Sequence, residues 1–166
     1  MPIVLARIDD RLIHGQVIVG WVRNYSINLI IIVDDEISKD KVQLSVLRLT
    51  TPPGAQLYAL SIDGFIERYN KGIFNNYNVM LIFKDTVALR AIAERGLKIP
   101  LDMINIGGMR WKEGREQVNV SVSVSKQELE DLLYLNSMGY KLEYRQVLTY
   151  EPVDLVPILQ KKKGEF

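Results

Sequence analysis

Two short runs of unbroken apolar residues, set among stretches with helical periodicity, most constrain how this chain can fold. Leu29–Val33 and Val79–Phe83 contain no polar position. A strand open to water on one face alternates in character. A strand covered on both faces does not, so these runs read as interior strands of a sheet layered on both sides. The same rhythm recurs around them. Strands are expected at 3–8, 28–33, 56–60, 78–83 and 102–106, with helices at 16–25, 38–49, 61–69 and 86–95. In 38–49, Val42, Val46 and Leu49 keep the helical period and Ser38 is placed as the N-cap. Ser61 caps the next helix, Gly96 closes the fourth, Pro52-Pro53-Gly54 breaks the chain, and Gly107-Gly108 closes the fifth strand as a turn.

Strand and helix units in series predict an α/β fold: an open, mostly parallel, doubly wound sheet of about seven strands with helices on both faces. After residue 108 the pattern changes. Residues 117–124 alternate, with Val118, Val120, Val122 and Val124 on one side, and read as a half-exposed antiparallel edge strand. Ser125-Lys126-Gln127-Glu128 is a capping box opening a helix over 125–136, with Leu129, Leu132 and Leu133 at helical spacing. A late strand is expected at 141–148 and a short helix at 153–159, followed by a frayed tail, Lys161 to Phe166. With no repeat and no linker, the reading is one domain, 1–166.

Charge narrows the function. There are 21 basic and 20 acidic residues, so the basic excess of a nucleic-acid binder is missing. No cysteine is present, which removes disulfides, thiolate metal sites and a cysteine nucleophile. The first residues lack the layout of a secretory signal, and no apolar run approaches a membrane span. A cytoplasmic protein without direct membrane insertion is expected, one that meets a membrane only through a partner.

The chemistry concentrates at the first strand-to-helix turn. In such a sheet, ligands sit beyond the C-terminal strand ends, where the chain reverses its winding direction. Here that turn carries Asp9, Asp10, Arg11, the only histidine, His14, then Gly15 and Gln16. Imidazole is a nucleophile at neutral pH, and a guanidinium three residues away is a fork for phosphate oxygens. The following helix offers free N–H groups to an anion. Gly15 leaves room beside the backbone, and Gln16 can donate through its amide. One aspartate is expected to hold Arg11 or accept an imidazole N–H while the other caps the loop; the sequence leaves open which does which. Arg7 is a weaker candidate because strand parity can point it elsewhere. Thr86, after the fourth strand, is a candidate helix cap that could also touch phosphate, with Asp85 the alternative cap. Arg110 and Trp111 suit a docking rim.

The run Arg7-Ile8-Asp9-Asp10-Arg11-Leu12-Ile13-His14-Gly15-Gln16-Val17 resembles the signature of the IIB component of the mannose/fructose/sorbose family of the bacterial phosphoenolpyruvate-dependent sugar phosphotransferase system (PTS). The resemblance continues through Val33-Asp34-Asp35-Glu36, Pro52-Pro53-Gly54, Ile104-Asn105-Ile106-Gly107-Gly108-Met109 and Gln117-Val118-Asn119. It implies that His14 takes a phosphoryl group on Nδ1 from a phospho-IIA protein. It also implies that His14 passes the group to a sugar entering through the membrane components IIC and IID, which would hold this chain at the inner face of the membrane. No metal and no cofactor are implied. The competing reading from the residues alone is a non-catalytic α/β module binding a phosphorylated ligand through His14 and Arg11. A dinucleotide oxidoreductase ranks lower, because the first turn lacks Gly-x-Gly-x-x-Gly.

Overall fold

The computed structural model describes residues 2–166. In chain order the elements are β1 Ile3–Asp9, α1 Gly15–Asn24, β2 Leu29–Val33, α2 Lys41–Leu49, β3 Gln56–Leu60, α3 Ile62–Asn70, β4 Val79–Phe83 and α4 Val87–Glu94. They continue with β5 Met103–Gly108, β6 Glu116–Gln117, β7 Ser123–Val124, α5 Lys126–Ser137, β8 Lys141–Tyr144, β9 Val153–Asp154 and α6 Val156–Lys162. Seven strands form one sheet in the order β3-β2-β4-β1-β5-β8-β9. Every neighbouring pair is parallel except β8 with β9, an antiparallel edge. The architecture is the open, doubly wound sheet that the apolar runs predict.

Both β2 and β4 are buried at every position because helices cover the sheet on both sides. On one face Leu5, Ile30, Ile32, Met80 and Ile82 pack with Ile18, Trp21 and Val22 of α1. On the other, Ile8, Ile31, Leu81 and Phe83 pack with Phe65 of α3, Leu89 and Ile92 of α4, Leu132 of α5 and Leu159 of α6. Full burial of each such side chain contributes about 1.5–3 kcal/mol, so these two rows dominate the fold's stability.

The direction of winding sets where a site can lie. From β1 and β2 the chain steps one way along the sheet, with α1 and α2 on one face. From β3, β4 and β5 it steps the other way, with α3, α4 and α5 on the opposite face. The chain therefore leaves the C-terminal ends of the adjacent strands β1 and β5 in opposite directions, which opens a crevice between them.

Four local expectations are corrected. First, the helix expected over 38–49 is a 3-10 turn, Ile37–Lys39, followed by α2, and the N-cap is Asp40, whose side chain accepts from Gln43 N. Ser38 instead donates to the Asp35 carbonyl. This phase turns Leu44 and Leu47 inward, and Arg48 Nε bonds the Leu57 carbonyl at 3.2 Å. Val42 and Leu49 consequently stand 77% and 86% exposed, with Val46 beside them. Second, 117–124 is no single strand. The side chain of Asn119 accepts from Ser121 N and Val122 N, folding the segment into a turn between β6 and β7, a separate two-stranded sheet. Val118, Val122 and Val124 face inward while Val120 stands out at the tip. Third, the late strand stops at Tyr144, and 153–154 pair as β9 ahead of α6. Fourth, the tail continues from α6 into a 3-10 turn, Lys163–Glu165, with Lys162 paired to Glu165. The capping box is present as expected, Ser125 and Glu128 bonding each other's backbone N–H. No helix among the described residues is long and apolar enough to cross a membrane.

The two apolar positions Leu49 and Leu81 should respond very differently to mutation. Leu49→Lys is expected to leave the free energy of unfolding within about 0.5 kcal/mol of the parent. Leu81→Ala is expected to cost about 2–5 kcal/mol. Urea denaturation measures both, and equal losses would contradict the outward phase of α2.

Candidate active site at the C-terminal end of β1

The last residues of β1 place two charges inside the protein. Arg7 is 1% exposed and Asp9 0%, and Arg7 Nη2 pairs with Asp9 Oδ2 at 3.0 Å. Burying either charge alone is prohibitive, so the surroundings must satisfy both. Arg7 Nη1 donates to Asn105 Oδ1 at 2.6 Å and the Arg145 carbonyl at 3.1 Å. Its Nη2 also reaches the Gln146 carbonyl at 3.0 Å, and the guanidinium lies 5.3 Å from the centre of the Trp21 ring. Burial pushes Arg7 down from its usual value while Asp9 pushes it back up. Both Arg7 Nη groups are thus engaged within the protein, and the side chain is buried away from the surface.

Asp9 also holds Arg11. Its Oδ1 accepts from Arg11 Nε at 3.2 Å and from Arg11 N at 3.1 Å, the second bond shaping the turn. The expected split between the two aspartates is corrected: Asp9 both anchors Arg11 and caps the loop through the Arg11 N–H. Asp10 Oδ2 accepts from Arg110 N at 2.8 Å and Arg110 Nε at 3.2 Å, tying the turn to the segment after β5. Among the described residues, neither carboxylate bonds the imidazole.

Gly107 and Gly108 belong to β5 rather than to a turn. Their missing side chains are what let the arginines in. A Cβ on Gly107 would overlap the Arg7 guanidinium, and one on Gly108 would stand 3.2 Å from Arg11 Nη2.

His14 is the N-cap residue of α1, in extended conformation, with no side-chain capping bond and no acidic residue in the helix's first turn. Just before it, Leu12 N bonds the Asp9 carbonyl and Leu12 takes a φ of 61°, a costly left-handed turn for a branched residue. Leu12 and Ile13 are both buried among the residues around Trp21, and that burial holds the strained turn in place. Gly15 takes a φ of 47°, with open space where a side chain would be. Gln16 is exposed beside it. Both His14 ring nitrogens are shielded from solvent yet bonded to nothing. Burial lowers the His14 pKa below 6.5; Asp9 raises it, Arg11 and Arg7 lower it, and Asp10 raises it. The neutral imidazole is the favoured form, and it carries the lone pair a nucleophile needs.

A cavity of 260 Å³ opens beside Arg11, lined also by Gly108, Arg110, Trp111, Ser121 and Gln146. His14 is not among its lining residues; Arg11, which lines it, acts on His14 through its charge. Trp111 is 61% exposed, its Nε1 held by the Arg115 carbonyl, and Arg115 is paired with Glu128 at the start of α5.

The structure brings together Asp9, Asp10, Arg11, His14, Gly15 and Gln16 and sets Arg7 directly behind them. It does not bring Thr86. That hydroxyl is buried on the opposite face and donates to Asp131 Oδ2 at 2.6 Å. Asp85, not Thr86, accepts from the Val87 N–H at the head of α4. Two contributors escaped the sequence reading. Asn105 carried a signal, a polar residue inside an apolar strand. Gln146 carried none, since it lies 135 positions from Arg11 and meets it only through the fold.

Gly107→Ala is expected to displace the Arg7 guanidinium, leave Asp9 Oδ2 and Asn105 Oδ1 without their Arg7 bonds, and destabilise the fold by about 3–5 kcal/mol. Thermal unfolding checks this; a change under 1 kcal/mol would mean the pair is not held as described. For His14, an NMR titration is expected to give a midpoint below 6.5.

With this geometry in place, comparison with known proteins is informative. Residues 3–166 match the family model described as PTS system sorbose subfamily IIB component. The chain is similar to the PTS system mannose-specific EIIAB component of Escherichia coli (strain K12), 37% identical over 161 residues, which are 97% of this chain and 49% of that protein. It thus spans about half the length of that relative. It is 33% identical to the PTS system fructose-specific EIIB component of Bacillus subtilis (strain 168), covering 96% of this chain and 97% of that one. Among solved structures it resembles the IIBSor domain of the sorbose permease from Klebsiella pneumoniae, with a TM-score of 0.89, 32% identity, and coverage of 97% and 98%. The buried arginine and aspartate, the unpartnered imidazole and the doubly wound sheet thus sit in a chain that belongs to the IIB components of the mannose/fructose/sorbose family of the sugar phosphotransferase system.

Proposed function

We propose that this chain is a phosphoryl carrier: His14 accepts a phosphoryl group from a phospho-IIA protein and gives it to a sugar during uptake through the membrane components IIC and IID. The observation that supports this best is an imidazole with both nitrogens free of partners, at the uncapped head of α1, three residues from a guanidinium fork. A structural histidine normally satisfies at least one nitrogen.

In the first transfer the Nδ1 lone pair of His14 attacks phosphorus in line, and the phosphorus–nitrogen bond of the donor phosphohistidine breaks. In the second, a sugar hydroxyl oxygen attacks, its proton passes to solvent or a base, and His14 leaves with its lone pair restored. The protein supplies position and charge balance for a loose transition state rather than covalent help. The α1 N–H groups and Arg11 face the equatorial oxygens. Because both ring nitrogens are shielded at rest, the imidazole must turn toward the open side at Gly15 to receive the group. Relatives are named for mannose, fructose and sorbose, and a sugar of that class is the proposed acceptor. The proposed location is the cytoplasm, against the inner membrane face through IIC and IID.

Incubation with phosphoenolpyruvate, the general phosphotransferase proteins and a matching IIA tests the reading. One acid-labile, base-stable phosphoryl group is expected, and none on His14→Ala. Arg11→Lys is expected to fold normally and to slow acceptance about tenfold or more, having lost the bidentate fork. On acidification the rate should fall as the imidazole protonates, with its midpoint below the 6.5 of an ordinary histidine because burial lowers the His14 pKa. An unmodified parent chain with competent donors would overturn the proposal in favour of a binding module.

A further inference from the structure

We infer that the Gln146 side chain is a releasable latch on Arg11, one that the phosphoryl group must displace and that sets how tightly His14 holds it. The inference builds on the carrier reading above and assigns a positioning residue to that site. The amide of Gln146 faces the Arg11 fork. In the one amide orientation that satisfies both groups, its oxygen accepts from Arg11 Nη2 at 2.9 Å and Nη1 at 3.2 Å. Asp9 takes Nε at 3.2 Å and shares Nη2 at 3.5 Å. Of the five N–H groups of the guanidinium, a single one on Nη1 stays free. A phosphoryl group seeks two parallel N–H donors. One resting partner must therefore let go.

Asp9 cannot be that partner. It is fully buried, it also carries Arg7, and it fixes the Arg11 backbone N–H. Gln146 can. Its side chain is half-buried and uncharged. Its backbone is pinned independently, the carbonyl accepting from Arg7 Nη2 at 3.0 Å and Trp21 Nε1 at 3.1 Å. The amide can swing away while the chain around it stays put. The 260 Å³ cavity lined by Arg11, Gly108 and Gln146 gives it somewhere to go. Asp9 keeps the fork in place meanwhile. The exchange favours the phosphoryl group, because a bond to an anion is about twice as strong as one to a neutral amide. The amide still competes, so part of the gain from Arg11 is cancelled.

Two substitutions separate this from a structural role by sign. Gln146→Leu removes the competitor. It is expected to raise the equilibrium constant for phosphoryl transfer from phospho-IIA to His14 about fivefold, the worth of one hydrogen bond. Gln146→Glu replaces it with a charged rival and is expected to lower that constant about tenfold or more. Known amounts of phospho-IIA and the full chain are mixed, quenched in alkali, and the phosphorylated fraction is read by intact mass, with thermal unfolding as the check on folding. Gln146→Met serves in place of Leu if Leu does not fold. Opposite shifts support the latch. Shifts of the same sign, or none in folded variants, overturn it while leaving the carrier reading intact, since that stands or falls on whether the parent chain takes the group at all.

Discussion

The Asp9 carboxylate, sealed at the end of β1 between two guanidinium groups, is the constraint on which the rest of this site depends. Desolvating a carboxylate is offset only when both its oxygens find charged or polar partners. The sequence supplies Arg7 two residues before and Arg11 two residues after. Each then makes its own demand. Arg7, on the same face as Trp21, needs Asn105 and the carbonyls of Arg145 and Gln146, so the segment after β8 must fold back over β5. No side chain can stand at Gly107 while that guanidinium is there. A strand end, a neighbouring strand's glycine and a distant loop are thus fixed by one carboxylate.

The two arginines that share it end in different states. Arg7 spends its donors inside the protein and is structural. Arg11 is held at Nε and by its own backbone, which fixes where the fork points while leaving its outer edge to a weaker, uncharged partner. His14 gets none of this support. Burial is the largest influence on its pKa and lowers it, while Asp9 and Asp10 pull it up and Arg11 and Arg7 pull it down. The turn therefore carries an imidazole that is neutral and unclaimed, beside a cation that is anchored but not used up.

Most of the architecture is legible in the chain because burial on two faces writes itself into composition. Leu29–Val33 and Val79–Phe83 are interior strands, and they are. Where two patterns compete, periodicity cannot choose. In α2 both Val42, Val46, Leu49 and Leu44, Leu47 fit a helical stripe, and the phase is decided by Asp40 at the cap and the reach of Arg48 to Leu57. In 117–124 the valine alternation is genuine, but Asn119 turns the chain back on itself, a side-chain bond that outweighs strand periodicity. The turn carrying Asp9, Arg11 and His14 was visible as a constellation. The division of labour between Asp9 and Asp10 was not, because it rests on Arg110 arriving from the segment after β5, which local spacing does not set. Thr86 shows the same limit: its hydroxyl is claimed by Asp131 of α5.

A site that passes a group on differs from one that keeps it. Each contact that stabilises phosphohistidine also deepens the well from which the next transfer must start, and only contacts stronger in the transition state speed both steps. A helix N-terminus helps in this way, since its N–H groups are oriented whether or not the anion is present. In the proposed carrier, Arg11 anchored by Asp9 would need no reorganisation of its own to meet the equatorial oxygens, and whatever it gained by meeting them would be reduced by the partner it gave up. A free arginine at the same place would bind the group more tightly and release it more slowly. The buried pair behind the turn, which at first looks like a costly way to end a strand, thus keeps the fork pointed while leaving its grip moderate.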